Sequence, residues 1–169
     1  MKKTLSIFIL FFIYQLSLAQ ANCSTPVSIL LGSTTTAPAF TNETGTVPTN
    51  LCGLTNGTGV PTKGKWYTYT ALANNTVELS TNLPQNNNAD TRLIVYTGSC
   101  NNLICVGSND DYNGTLSSFL SFTVTAGTTY TIAFDNRYSQ AGFAFTLMLA
   151  APAGAVSYTH LTLPTNREV

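Results

Sequence analysis

Apolar residues recur along this chain in short runs with a period of two, separated by Asn, Gly and Pro. Residues 27–31 form a first short apolar strand, and 65–70, KWYTYT, an aromatic one. Residues 76–80 place Val77 and Leu79 on one face and Glu78 on the other. Residues 91–97 are apolar on both faces through Leu93, Ile94, Val95 and Tyr96, the pattern of a central strand covered from both sides. Residues 103–106 return after a cysteine-flanked turn. Residues 118–125 alternate through Leu120, Phe122 and Val124, and 129–134 through Tyr130, Ile132 and Phe134. Ala126-Gly127 lies between them, so the two are predicted to pair as a hairpin. Phe143, Phe145, Leu147 and Leu149 supply one more inward face.

Residues 33–62 are rich in Thr, Pro and Gly and predict a long irregular excursion pinned by Cys52. Residues 82–89 read as a loop of Asn and Pro, and no stretch carries a useful amphipathic helical pattern. About eight short strands with regularly spaced turns predict an all-β fold, an antiparallel two-sheet sandwich. Thr and aromatic enrichment in the strands agrees with that.

The first residues read as an address. Lys2 and Lys3 precede a nearly apolar stretch, residues 5–18, and Ser17-Leu18-Ala19 puts small residues at the −3 and −1 positions before Gln20. This is the pattern of a secretory signal peptide over residues 1–19, cut after Ala19. The apolar run is shorter than the roughly 20 residues a spanning helix needs. Lipidation at Cys23 would call for a small residue before it, where Asn22 stands. The expected location is therefore secreted or cell-surface, with no membrane span in the mature chain.

An exported chain meets oxidising conditions, and the four cysteines, Cys23, Cys52, Cys100 and Cys105, are even in number. Four cysteines allow three pairings. Sequence proximity favours Cys100–Cys105 around the NNLI segment, leaving Cys23–Cys52. Zinc is the competing use, but there is no CxxC pair to hold it.

Charged residues are only 8 % of the chain, against about 25 % in typical domains. Between residues 20 and 155, four basic residues stand against six acidic ones. No basic stripe exists to follow phosphates, which argues against a nucleic-acid partner.

The order WYTYTA, ADTRLIVYTGSC, CVGSNDD, FTVTAGTTYTIAFD and GFAFTLML, spread over residues 66–149, resembles the pre-peptidase C-terminal-like domains of secreted bacterial proteins. The resemblance covers most of residues 22–150, which are expected to form one domain. It implies a jelly-roll or CUB-like sandwich without catalysis of its own, accompanying proteases, adhesins and other exported proteins. Better-known members follow a protease domain, whereas this copy follows the leader directly. What it accompanies is therefore expected downstream. The function so implied is that of a non-catalytic accessory or adhesion-type domain at the N-terminus of an exported bacterial protein. Two alternatives stand beside it: a module binding an extracellular glycan or matrix protein, and a fragment of a secreted hydrolase whose catalytic domain is missing.

Every aspartate of the chain falls at a predicted strand end or adjoining loop: Asp90, Asp110, Asp111 and Asp135. Asp90, Asn109, Asp110 and Asp111 offer hard oxygen ligands of the kind Ca²⁺ takes, six to eight at a time. The competing reading is that they cap turns through side-chain-to-backbone hydrogen bonds. The spacing is not that of an EF-hand; some relatives in the family are calcium-stabilised. Asp110 and Asp111 are adjacent and would point to opposite faces of a strand, so a glycosidase pair would need Asp90 or Asp135. No GxSxG or SxxK motif marks a nucleophile in the mature domain. Among the aromatics, Tyr112 and Tyr138 are predicted in loops, where they could stack on sugar rings; packing within the fold is the competing reading. Arg92 and Arg137 read as solvated or paired with nearby Asp. Asn-X-Ser/Thr sequons, among them those at Asn42, Asn56, Asn74 and Asn113, reflect the richness in Asn and Thr.

Residues 151–155 read as the start of a linker. Residues 156–169, VSYTHLTLPTNREV, resemble the in-frame translation of a transposon-based sequencing adapter. Such an adapter encodes VSYTHLTLPT, then three index-dependent codons, then Val and a stop. The tail is therefore expected to be non-native. His160, the chain's one histidine, receives no role, and the natural protein is expected to continue past Ala155.

Overall fold

The computed structural model describes residues 20–41 and 45–151. The predicted leader, the sequon at Asn42 and the tail lie outside the described residues. The described residues form nine strands: β1 (Val27–Ser28), β2 (Ser33–Ala37), β3 (Gly64–Thr70), β4 (Asn75–Ser80), β5 (Arg92–Ser99), β6 (Asn102–Asn109), β7 (Phe119–Val124), β8 (Thr129–Asp135) and β9 (Phe143–Leu149). They form two sheets, ordered β1-β3-β8-β5-β6 and β2-β9-β4-β7. All pairings are antiparallel except the two-residue parallel contact of β1 with β3. Setting β1 aside, the two four-strand orders are those of a jelly roll. The sandwich expectation therefore holds, and among the described residues no helix is long and apolar enough to cross a membrane.

The alternating positions do what their period dictates. Tyr67, Val77, Leu79, Leu93, Val95, Phe122, Val124, Ile132, Phe134, Phe145 and Leu147 all enter one core between the sheets. Edge-to-face ring contacts tie it together, with Tyr67 against Phe145 at 4.8 Å and Phe134 against Phe143 at 4.9 Å. β5 is buried on both faces, as its unbroken apolar run predicts. Leu93 and Val95 face the core, while Ile94 and Tyr96 face a second cluster with Trp66, Ala133 and Cys23 on the outer side of the five-stranded sheet. Leu51, Cys52, Leu54 and Leu103 pack over that cluster.

The structure corrects four expectations. β7 and β8 do not pair: β7 joins β4 in one sheet, and β8 lies between β3 and β5 in the other. Alternation reports which face is buried, not which strand is the neighbour. In a jelly roll the turn at Ala126-Gly127 carries the chain across the core. β5 and β6 are the two successive strands that do pair. Residues 33–62 are not wholly irregular, because Ser33–Ala37 pairs with β9. Leu149 is 53 % exposed at the end of β9, where the sandwich no longer covers it.

The fourth correction concerns the cysteines. The bridges are Cys23–Cys100 and Cys52–Cys105, with Cα atoms 5.8 and 5.5 Å apart. The local pairing fails because β5 and β6 continue to the very tip of the hairpin, where Ser99 pairs with Asn102. Cys100 sits in the two-residue turn, while Cys105 lies down the strand opposite Tyr96. Several extended residues at about 3.3 Å each separate them, beyond the roughly 4.4–6.8 Å that a disulfide spans. Both bridges tie distant segments onto the outer face of the five-stranded sheet.

Candidate functional site

The acidic residues gather at one corner because β5 and β6 are antiparallel. Asp90 precedes β5, Asp110 and Asp111 follow β6, and Leu93 pairs with Asn109. The start of one strand and the end of the other therefore meet. One carboxylate oxygen from each of Asp90, Asp110 and Asp111 lies within 4.8 Å of the others. Asp90 and Asp110 are half-buried, and Asp111 is exposed.

Asn109, the fourth candidate ligand, is used otherwise. Its Oδ1 accepts from the Phe119 backbone N–H at 2.8 Å, and its Nδ2 donates to the Asp111 carbonyl at 3.3 Å. Turn capping, one of the two readings for this run, thus falls to Asn109. Behind it, a buried hydroxyl cluster braces the loops. Thr81 and Thr91 are 2.7 Å apart through their hydroxyls, and Ser118 Oγ donates to the Thr91 carbonyl at 2.6 Å.

The corner is electrostatically frustrated. Burial raises the Asp90 carboxyl above its ordinary range, and the like charges of Asp110 and Asp111 add to this against the pull of Arg137. Burial also raises Asp110, against a hydrogen bond from the Tyr138 hydroxyl that draws it down. Asp110 Oδ1 is buried with no hydrogen-bond partner among the described residues. That oxygen and its two neighbours suit a divalent cation, which would neutralise the repulsion and supply the missing contact.

The two candidate stacking rings are both engaged within the fold. Tyr112 packs on Phe119 with centroids 4.5 Å apart. Tyr138 lies over the Arg137 guanidinium at 4.6 Å, with Arg92 at 6.0 Å. Burial, together with the charge and hydrogen bond of Asp110, raises the Tyr138 hydroxyl. Tyr138 still leaves 42 % of its surface to solvent.

Of the two arginines read as solvated or paired with nearby Asp, Arg92 takes the pairing, and sequence reading missed the part of Asn56 in fastening this corner. Arg92 pairs with Asp135 in the neighbouring strand and also donates to Asn56 Oδ1 at 3.0 Å. Arg137 donates to the Asn56 carbonyl at 2.6 Å. The available signal was one arginine opening an otherwise apolar strand and one aspartate closing another.

Fold and cysteines together define the class: an all-β jelly-roll domain closed by two disulfides, the chemistry of an oxidising compartment. No family model matches the chain, and no curated protein matches it. Among solved structures, the chain is similar to the pre-peptidase C-terminal domain of collagenase from Bacillus anthracis. The identity is 9 % and the TM-score 0.40, with 74 % of this chain and 94 % of that one covered.

Proposed function

We propose that this chain is a non-catalytic accessory domain of an exported protein, stabilised by Ca²⁺ held at Asp90, Asp110 and Asp111. The supporting observation is how its reactive groups are spent. All four cysteines are in bridges, Arg92 and Asp135 neutralise each other in the interior, and Asn109 caps a turn. The carboxylates that remain together form a ligand set, with backbone carbonyls and water completing the shell. Calorimetric titration of the chelator-treated protein with CaCl₂ is expected to give one site, lost in Asp110→Asn. Absence of heat, together with an unchanged melting temperature, would remove the metal from the reading. The accessory role is tested separately on peptide and glycoside substrate panels: turnover abolished by Asp110→Asn would overturn it.

The 42 % exposure of the Tyr138 ring favours a second reading, a module for extracellular glycan or matrix protein. Glycan-array binding lost in Tyr112→Ala and Tyr138→Ala would select it over a purely structural role.

A further inference from the structure

The outer face of the five-stranded sheet is covered by a short segment with an unusual attachment. Residues 47–54 are stretched between two anchors. At one end, Thr46 accepts from Trp66 Nε1 at 2.8 Å through its carbonyl and from the Cys23 backbone N–H at 3.1 Å through its hydroxyl. At the other, Asn56 is gripped by Arg92 and Arg137. Between the anchors the segment joins no sheet. Among the described residues its one backbone–backbone bond is internal, Leu54 N–H to the Leu51 carbonyl at 3.1 Å. What holds its middle down is side chains: Leu51 and Leu54 pack on the cluster of Ile94 and Tyr96, the Tyr96 hydroxyl donates to the Asn50 carbonyl, Ser108 Oγ donates to the Cys52 carbonyl at 3.1 Å, and Cys52 is bridged to Cys105.

The two bridges differ in access. Each bridge has one exposed cysteine, Cys100 in the hairpin turn and Cys105 on the edge strand β6, but the partner of the first, Cys23, is buried, whereas the partner of the second, Cys52, is only half-buried. Cys52 is also held at φ +53°, a left-handed backbone disfavoured for any residue with a β-carbon. Opening its bridge removes the tether that keeps it there.

We propose that residues 47–54 are a thiol-releasable flap. A dithiol reductant opens Cys52–Cys105 first, and the flap lifts between its anchors while the sandwich stays folded, baring Ile94 and Tyr96. The chemistry balances as an exchange. A reductant thiolate attacks Cys105 Sγ, giving a mixed disulfide and releasing the Cys52 thiolate. The second reductant thiol then displaces Cys105 and leaves as the cyclic disulfide, so two cysteine thiols form and the dithiol is oxidised.

The test is a dithiothreitol titration of the full chain, with alkylation and peptide mapping to identify the freed thiols and amide hydrogen exchange read in parallel. The expected intermediate carries two free thiols, on Cys52 and Cys105. Its residues 47–54 exchange at least tenfold faster, with β3, β5 and β8 unchanged. The double variant Cys52→Ser/Cys105→Ser is expected to reproduce that exchange pattern; if it does not accumulate as folded protein, the wild-type titration decides. Opening of Cys23–Cys100 first, loss of both bridges together with the sheets, or a flap that stays protected after its bridge opens would each overturn the proposal.

Discussion

Arg92 and Asp135 face each other across β5 and β8 and are sealed from solvent, with Nη2 and Oδ2 2.6 Å apart and both side chains 0 % exposed. Arg92 Nε donates to the same oxygen at 2.9 Å, and Asp135 Oδ1 accepts the Arg137 backbone N–H at 3.0 Å. Burial raises the Asp135 carboxyl against the opposing pull of Arg92. Breaking a buried pair leaves one charge stranded, at a cost of about 3–5 kcal/mol. Arg92→Met is therefore expected to lose about that much in urea denaturation, and Arg92→Met/Asp135→Leu much less. Equal losses in the two would show that the pair itself contributes the stability.

The bridges close sequence separations of 77 and 53 residues. Constraint of the unfolded chain over such loops is worth about 4 kcal/mol each. Non-reducing peptide mapping is expected to recover Cys23–Cys100 and Cys52–Cys105. Replacing Cys23 and Cys100 by Ser should lower stability by up to that amount, measured by the midpoint of chemical denaturation.

The acidic corner makes stability depend on pH. The Asp90 and Asp110 carboxyls are raised in the folded chain, so the folded state holds their protons more tightly than the unfolded one. Stability should therefore fall as pH rises from the ordinary carboxylate range through the raised folded values. In chelator, the melting temperature is expected to drop across that window, and Asp110→Asn to flatten the drop. In excess Ca²⁺ the wild-type chain should show no such drop. The repulsion is partly screened, so the gain from Asp110→Asn without metal is about 0.5 kcal/mol. A profile unchanged by the substitution would refute the assignment.

Tyr67 is fully buried in the core, and its hydroxyl has no hydrogen-bond partner among the described residues. A buried polar group left unpaired costs about 1–3 kcal/mol. Tyr67→Phe keeps the ring contacts with Phe134 and Phe145 and is expected to raise stability by about 1 kcal/mol. A loss of stability in a thermal melt would contradict this.

Gly64 lies where a β-carbon would stand 2.3 Å from the Thr46 carbonyl oxygen and 2.8 Å from Trp66 Nε1. Gly64→Ala must push apart the hydrogen bond that anchors the outer cover. Overpacking of this kind costs about 1–3 kcal/mol. The single tryptophan reports it directly, because its buried indole should move toward solvent and its emission toward the red.

What was legible along the chain follows from local physics. A period of two identifies strands and their buried faces, so Val77, Leu79, Phe122, Val124, Ile132 and Phe134 could be assigned inward before any partner was known. The unbroken run Leu93 to Tyr96 likewise announced a strand covered twice. Local alternation carries no information on which strands become neighbours. The chain could therefore not reveal that β7 and β8 belong to different sheets, or that Cys100 reaches Cys23 and not Cys105. The carboxylate corner was half legible: its residues were visible as a loop-bound acidic set. Their approach depended on the antiparallel register of β5 and β6, and the diversion of Asn109 on the position of Phe119. By itself the sequence determined an all-β chain, its inward faces and its even set of cysteines. Only the tertiary structure decided strand order, disulfide partners and the burial of Arg92 beside Asp135, because each is a contact between residues far apart in the chain.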